Sequence, residues 1–476
     1  MKSLSHYFQE ENKAIWLSVG LSLLLILPII LTGSIYIDDN TRTIRDFNWS
    51  GDGRFLANYF FEVLSLGNGV LDYYPWTNIF AAIVTGLCGV VIARSLNITG
   101  TQNIVLISAA MLSSPFMVSN LTYRFDSITM ALSLALAVLP FVCYSNIKAF
   151  ALVSFVSIIA SSYLYQPSVS AYVGMAVIYA AYNYESFIKL IRSLSICAII
   201  FVVSVLSFIL INKLTGGVAR SEFFTSSQDP AGLLQYNLFR SIQLLSWSAS
   251  GVTKVLYATA FLAFCLACIK AIRLSFALVA IYAFSLLSLI VISFILNAVL
   301  LTPWFNSRTL ISFPLVVVFC FALFIKHYEL SRIVKNVFAS LTVACSLLFC
   351  SLFANALASQ DNLNTVYFSK IMSEVDGDIQ KVAIYGEQPR PREFVMASEV
   401  YPLIDNLVPN YMRRGNGWAQ VYLHRNSSRF RMITMQEQEA IFRESCGKGQ
   451  WKKGELFYTK SFNDILIVSF SGKYCD

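Results

Sequence analysis

Two carboxylates stand side by side in IYIDDNTRTIRDFNWSGDGR, residues 35–54: Asp38 and Asp39, with Arg42, Arg45 and Arg54 close behind. Two other segments repeat the combination of arginine with an acid or amide. One is NLTYRFDS, with Tyr123, Arg124 and Asp126; the other is LTPWFNSRTL, with Trp304, Asn306 and Arg308. A carboxylate can take a proton from a hydroxyl nucleophile as general base. An acid pair can instead bind a divalent cation, or acids can pair with the arginines and orient a loop. Guanidinium groups match phosphate oxygens through paired hydrogen bonds. Adjacent aspartates in an extended segment point opposite ways. One is therefore expected to act as base and the other to anchor the loop on Arg42 or Arg45. Asp39 is taken as the base, and Asp126 as the second acid.

These groups are carried at the ends of membrane spans. The chain has 476 residues, 56% hydrophobic and 13% charged, with mean hydropathy +0.62; soluble domains carry about 25% charged residues. The net charge of +8 reads as topology-setting basic residues at loop ends, not as a nucleic-acid surface. Three scattered histidines, His6, His327 and His424, make no zinc-type cluster, and no metal site is expected. Eleven runs approach the length of a span: 14–35, 75–93, 103–119, 127–144, 149–164, 168–182, 194–212, 255–269, 275–300, 309–325 and 336–356. The first is too long for a signal-peptide core and no small-residue cleavage site follows, so it reads as a retained span. Basic residues are denser in the segments that a cytoplasmic amino terminus would put inside. Asp38, Asp39, Arg124, Asp126 and Arg308 then fall on the outer face.

Two outer loops, 36–74 and 213–254, each contain an amphipathic helix pattern, suited to lying flat at the interface or packing on neighbouring helices. Residues 1–356 form the transmembrane part. Residues 357–476 hold 15 Lys+Arg and 14 Asp+Glu, a soluble composition and enough chain for one small α/β domain. KVAIYG and DILIVSF read as strands, EFVMASEVYPLIDNL and MQEQEAIFRES as helices. Eight of ten cysteines lie in spans; the other two, Cys446 and Cys475, are expected to pair if that domain faces an oxidising compartment. Trp49, Trp76, Trp247 and Trp304 mark the outer rim, as an aromatic belt does. Trp49 and Trp304, with Tyr123, are also candidates for stacking on a sugar.

An acid for an acceptor hydroxyl and arginines for a lipid-phosphate leaving group describe a polyprenyl-phosphate-sugar glycosyltransferase. The motifs DDNTR, NWSGDGR, YRFDS and FNSRTL, in this layout over residues 14–330, resemble the serotype-converting, bacteriophage-type O-antigen glucosyltransferases, the glucosyl transferase II family. The resemblance implies a GT-C-like helical membrane fold with its catalytic carboxylate in the first outer loop. It implies undecaprenyl-phosphate-glucose as donor substrate, with no cofactor, and a sugar of the lipid-linked O-antigen repeat as acceptor. It places the reaction on the periplasmic face of the bacterial inner membrane, beside a donor-synthesising glucosyltransferase and a flippase. Donor phosphate-binding candidates are Arg124 and Arg308, then Arg42, Arg54 and Arg220. Three alternatives remain: a GT-C transferase with another donor sugar, a polytopic lipid or sugar transporter, and a non-catalytic O-antigen assembly partner whose carboxy-terminal domain binds glycan. Carriers usually place ionisable groups within their spans, whereas here such groups crowd one rim.

Overall fold

A computed structural model describes residues 4–44, 48–215, 222–329, 331–377, 379–415 and 417–475, with side chains from residue 11. The chain divides into two compact units: 1–31 with 48–351, and 32–47 with 352–476. The loop 36–74 is thus split. Its acidic start, with Asp38, Asp39 and Arg42, belongs with the carboxy-terminal residues. Its second part, from Asn48, belongs with the helical bundle.

The first unit is a bundle of apolar helices. Nine helical stretches among the described residues are long and apolar enough to cross a membrane. A tenth arises if the pair Thr101–Leu112 and Pro115–Thr122, bent by 70°, is one span. The break follows from sequence: Ser114 caps the second piece, accepting from the amide of Phe116, and Pro115 starts it. The stretch Ile147–Tyr182 is not one rod. The Phe141 ring lies 5.5 Å from Phe150 and 6.0 Å from Tyr179, and the Tyr144 ring 4.7 and 4.2 Å from the same two. In a straight helix those partners, 179 − 150 residues apart, would be about 43 Å from each other. The chain therefore doubles back at Gln166–Ser168. Its arms, Ile147–Tyr165 and Val169–Tyr182, correspond to the two short spans expected there. The second arm has 14 residues, below the roughly 17 of a full crossing. Counting the arms separately accounts for the difference between ten segments and the expected eleven.

Phe187–Leu214 turns Ile188, Ile199, Leu206, Leu210 and Leu214 outward, as a lipid-facing helix does. Close packing elsewhere uses small residues. A Cβ on Gly89 would fall within 3.0 Å of the Cα, N and Oγ of Ser108. Ser18 of the first helix donates to Ser108 Oγ at 3.0 Å. Both amphipathic loop helices are present, as Phe55–Leu64 and Pro230–Ser248. The second is inverted relative to a soluble helix: Asn237, Ser241 and Ser248 are buried while Tyr236, Phe239 and Ile242 are exposed.

The second unit holds a four-stranded sheet. Its strands are β1 (Lys381–Tyr385), β2 (Lys452–Lys453), β3 (Tyr458–Phe462) and β4 (Ile465–Ser469), in the order β1-β4-β3-β2. β1 and β4 are parallel; β3 and β4 form an antiparallel hairpin. Alternation along the strands serves two cores. Val382, Ile384, Leu466 and Val468 pack with Tyr367, Ile371, Tyr411 and Tyr422 on one side. Ala383, Ile465 and Ile467 pack with Ile441, Phe442 and Tyr474 on the other. The last apolar helix does not stop near 356. It runs Arg332–Ser373, and its final turns supply Tyr367 and Ile371 to this core. Cys446 and Cys475 are joined by a disulfide, Cα–Cα 5.4 Å.

Candidate active site

In the first unit the rim residues form a connected network of charges and rings. Arg54 and Asp126 make an ion pair at 2.7 Å, with side chains 6% and 0% exposed. The other guanidinium nitrogens of Arg54 donate to the Leu164 carbonyl at 2.6 Å and to Thr129 Oγ1 at 3.2 Å. The indole N–H of Trp49 donates to the same Asp126 oxygen at 2.7 Å. A buried charge is tolerated when its donors and acceptors are matched in this way. Asp126 can be placed so because it opens the helix Asp126–Val138, where a negative charge meets the positive end of the helix dipole.

Tyr165 links this pair to the next arginine. The Arg54 guanidinium lies 5.1 Å from the Tyr165 ring centroid, and the Tyr165 hydroxyl donates to the Arg308 carbonyl at 3.1 Å. The Arg308 guanidinium covers the Tyr123 ring at 4.9 Å. Its loop is shaped by Asn306, whose Oδ1 accepts from the Arg308 amide at 3.1 Å. Arg124, next to Tyr123, pairs with Asp72 at 2.9 Å and lies 4.2 Å from the Tyr74 ring centroid. Tyr74 is itself tied to the Ile30 carbonyl. Segments distant in sequence thus bring Arg54, Arg124 and Arg308 to one end of the bundle, held by aromatic faces as cations commonly are. Arg54 is enclosed, whereas Arg124 and Arg308 are half-buried and reach solvent.

Several sequence expectations change in detail. Trp49 is fully buried, its ring stacked on Phe61 at 4.9 Å; it offers no open face to a sugar. Tyr123 is likewise buried beneath Arg308. Trp304 is 56% exposed and remains available for stacking. Asp72 and Tyr74 do not stand out in the sequence, because isolated loop residues carry no periodic signal; Tyr165, the last residue of the helix Ile147–Tyr165, is one apolar-run aromatic among many. Arg240, 5.9 Å from the Phe305 ring centroid, is a further cation beside the Trp304–Arg308 loop. Arg45 and Arg220 lie outside the described residues.

In the second unit Asp39 opens the short helical turn Asp39–Arg42 and is fully buried, as is nearly all of Arg42. Asp38 is half-buried. The segment is held by residues of the carboxy-terminal domain. Tyr36 Oη donates to the Leu407 carbonyl at 2.5 Å, the Ile37 amide donates to Tyr411 Oη at 2.9 Å, and Arg425 donates to Asn40 Oδ1 at 2.7 Å. Among the described residues no group of three or more His, Cys, Asp or Glu could hold a metal ion.

A curated protein of Salmonella phage P22, described as an uncharacterized 55.3 kDa protein in the gtrB 5' region, is 28% identical over 167 residues. The aligned part spans about a third of each chain, 34% of this one and 34% of the other. No solved structure matches. The family model of the glucosyl transferase GtrII matches residues 27–325, more than half of the chain, from the end of the first helix through the arginine network to the helix Pro314–His327. A helical membrane architecture, an arginine-lined rim and this match agree, and the chain belongs to the glucosyl transferase GtrII family.

Proposed function

We propose that the protein transfers glucose from undecaprenyl-phosphate-glucose to a sugar of the lipid-linked O-antigen repeat, at the periplasmic face of the bacterial inner membrane. The observation that carries this reading is the convergence of Arg54, Arg124 and Arg308 at one end of an apolar bundle, two of them reaching solvent. A lipid donor presents its phosphate at the membrane rim. An acceptor hydroxyl oxygen attacks the anomeric carbon, and its proton passes to a carboxylate. The bond from that carbon to the phosphate oxygen breaks, and its electron pair leaves with the polyprenyl phosphate. Negative charge grows on that phosphate in the transition state. Fixed guanidinium groups stabilise it without reorganisation.

Arg124 and Arg308 are the phosphate ligands in this scheme. Arg54 and Asp126 hold the frame between them. The acid pair supplies the base. Asp38 is the partly exposed member and Asp39 is enclosed, so in this scheme Asp38 takes the role of base and Asp39 anchors the turn. A donor-synthesising glucosyltransferase and a flippase supply the lipid-linked glucose on this side.

The test is transfer from purified donor lipid to O-antigen acceptor in proteoliposomes. Arg124→Ala and Arg308→Ala should each weaken catalysis by roughly 1.5–3 kcal/mol, the worth of a charged hydrogen bond. Lysine should restore part of it, lacking the two-pronged donor. Chelation should leave the rate unchanged. Wild-type turnover and donor affinity in both alanine variants would remove the phosphate assignment. Loss of activity on chelation, restored by Mg²⁺ or Mn²⁺, would make the acid pair a metal site.

A further inference from the structure

The family match ends at residue 325, so it assigns nothing to the carboxy-terminal domain. The second unit nevertheless contains the acidic turn of the first loop. Tyr411 grips that turn from one side. Its hydroxyl accepts from the Ile37 amide at 2.9 Å and donates to the Ile35 carbonyl at 3.2 Å. The tyrosine is buried and stacked on Tyr422, ring centroids 5.5 Å apart. Burial pushes its phenol well above the ordinary value, so the hydroxyl stays protonated and can donate and accept at once. From the other side, Arg425 donates to Asn40 Oδ1 at 2.7 Å, and the Asn40 amide donates to the Ile35 and Ile37 carbonyls at 3.3 and 3.1 Å.

The residue between these two grips is in an unfavourable conformation. Ile37 has φ 46°, a left-handed backbone that a β-branched side chain rarely adopts. Such a conformation persists where the surroundings over-determine it, and it occurs often at active sites. Ile37 directly precedes Asp38, so its φ and ψ set where both carboxylates point.

We infer that the carboxy-terminal domain is a positioning device for the acidic turn, with Tyr411 as the residue that fixes the Ile35–Ile37 backbone and so presents Asp38. Arg425, through Asn40, fixes the far side. Tyr411 touches no reacting atom; it acts through the turn. This rests on the reading that the acid pair supplies the base.

The experiment uses the full chain in proteoliposomes, with Tyr411→Phe, which keeps the ring stack and removes only the hydroxyl. Rates are normalised to folded protein. Expected are a kcat lower by roughly tenfold, the scale of one hydrogen bond, an unchanged donor KM, a displaced acid limb of the pH–rate profile, and faster hydrogen exchange at the Ile37 amide. Arg425→Ala, at a half-buried position, should move kcat in the same direction and keeps the inference testable if Tyr411→Phe does not fold. Wild-type kcat and pH profile in the variants, or losses that vanish on normalisation, overturn it. Failure of the underlying reading is distinct: Asp38→Asn and Asp39→Asn would both retain turnover. If those variants are inactive while Tyr411→Phe and Arg425→Ala are normal, the positioning role alone falls.

Discussion

Asp126 and Asp38 sit in different surroundings, one enclosed and one partly exposed. Asp126 is enclosed and shares one oxygen between Arg54 and the Trp49 indole, which ties the loop segment 49–54 to the head of the helix Asp126–Val138. Removing one partner of a buried pair costs about 3–5 kcal/mol, because the other charge is left without compensation. Asp126→Asn should therefore lower the melting temperature in detergent well before it alters donor affinity. Asp38→Asn should fold normally and lose transfer by about 10²–10⁴, the usual share of a general base. A stable Asp126→Asn with strongly reduced kcat would place Asp126 in the chemistry. Near-wild-type transfer by Asp38→Asn would move the role to Asp39, and activity in both would end the carboxylate-base mechanism.

Small residues set the closest approach between some helices of the bundle. Between the helices Trp76–Ser95 and Thr101–Leu112, Gly89 lies against the backbone of Ser108. With lipid outside, apolar side chains gain little from burial between helices, and close van der Waals contact decides association. Gly89→Ala should force the pair apart at a cost of roughly 1–3 kcal/mol, seen as a lower melting temperature. A Cβ added at Gly20 would meet no neighbouring atom within 4 Å, so this glycine serves as the control: Gly20→Ala should be neutral or stabilising. Equal melting temperatures for both variants would mean that the close approach contributes nothing. The long helix Arg332–Ser373 follows another logic. Its early turns are largely apolar, and its later turns bear Tyr367 and Ile371 on one face for the sheet.

For the whole molecule, membrane orientation is the proposal that organises the rest. On this proposal both arms of Ile147–Tyr182 cross, and eleven passes from an inside amino terminus would put the carboxy-terminal domain in the periplasm. Its disulfide belongs in such an oxidising compartment. A reporter active only after export, fused behind Asp476, should be active, and the same reporter in the segment between Ile272 and Phe276 should not. The reverse pattern would invert the topology and separate the acid pair from a periplasmic acceptor.

Composition alone determined that this is a helical membrane protein with a soluble carboxy-terminal part, because 20-residue apolar runs have few other stable fates. The strands KVAIY and ILIVS and the helix MQEQEAIFRE were legible through residue type and hydrophobic period. So were the acid and arginine segments, since charges at the ends of apolar runs stand out. What sequence could not give was partnership. That Arg54 is matched to Asp126 and Arg124 to Asp72, that Trp49 is buried, and that the acidic turn belongs with Tyr411 rather than with the helices beside it in the chain are long-range contacts. Local pattern carries no information about them, because each depends on which surfaces meet after the helices and the sheet have formed.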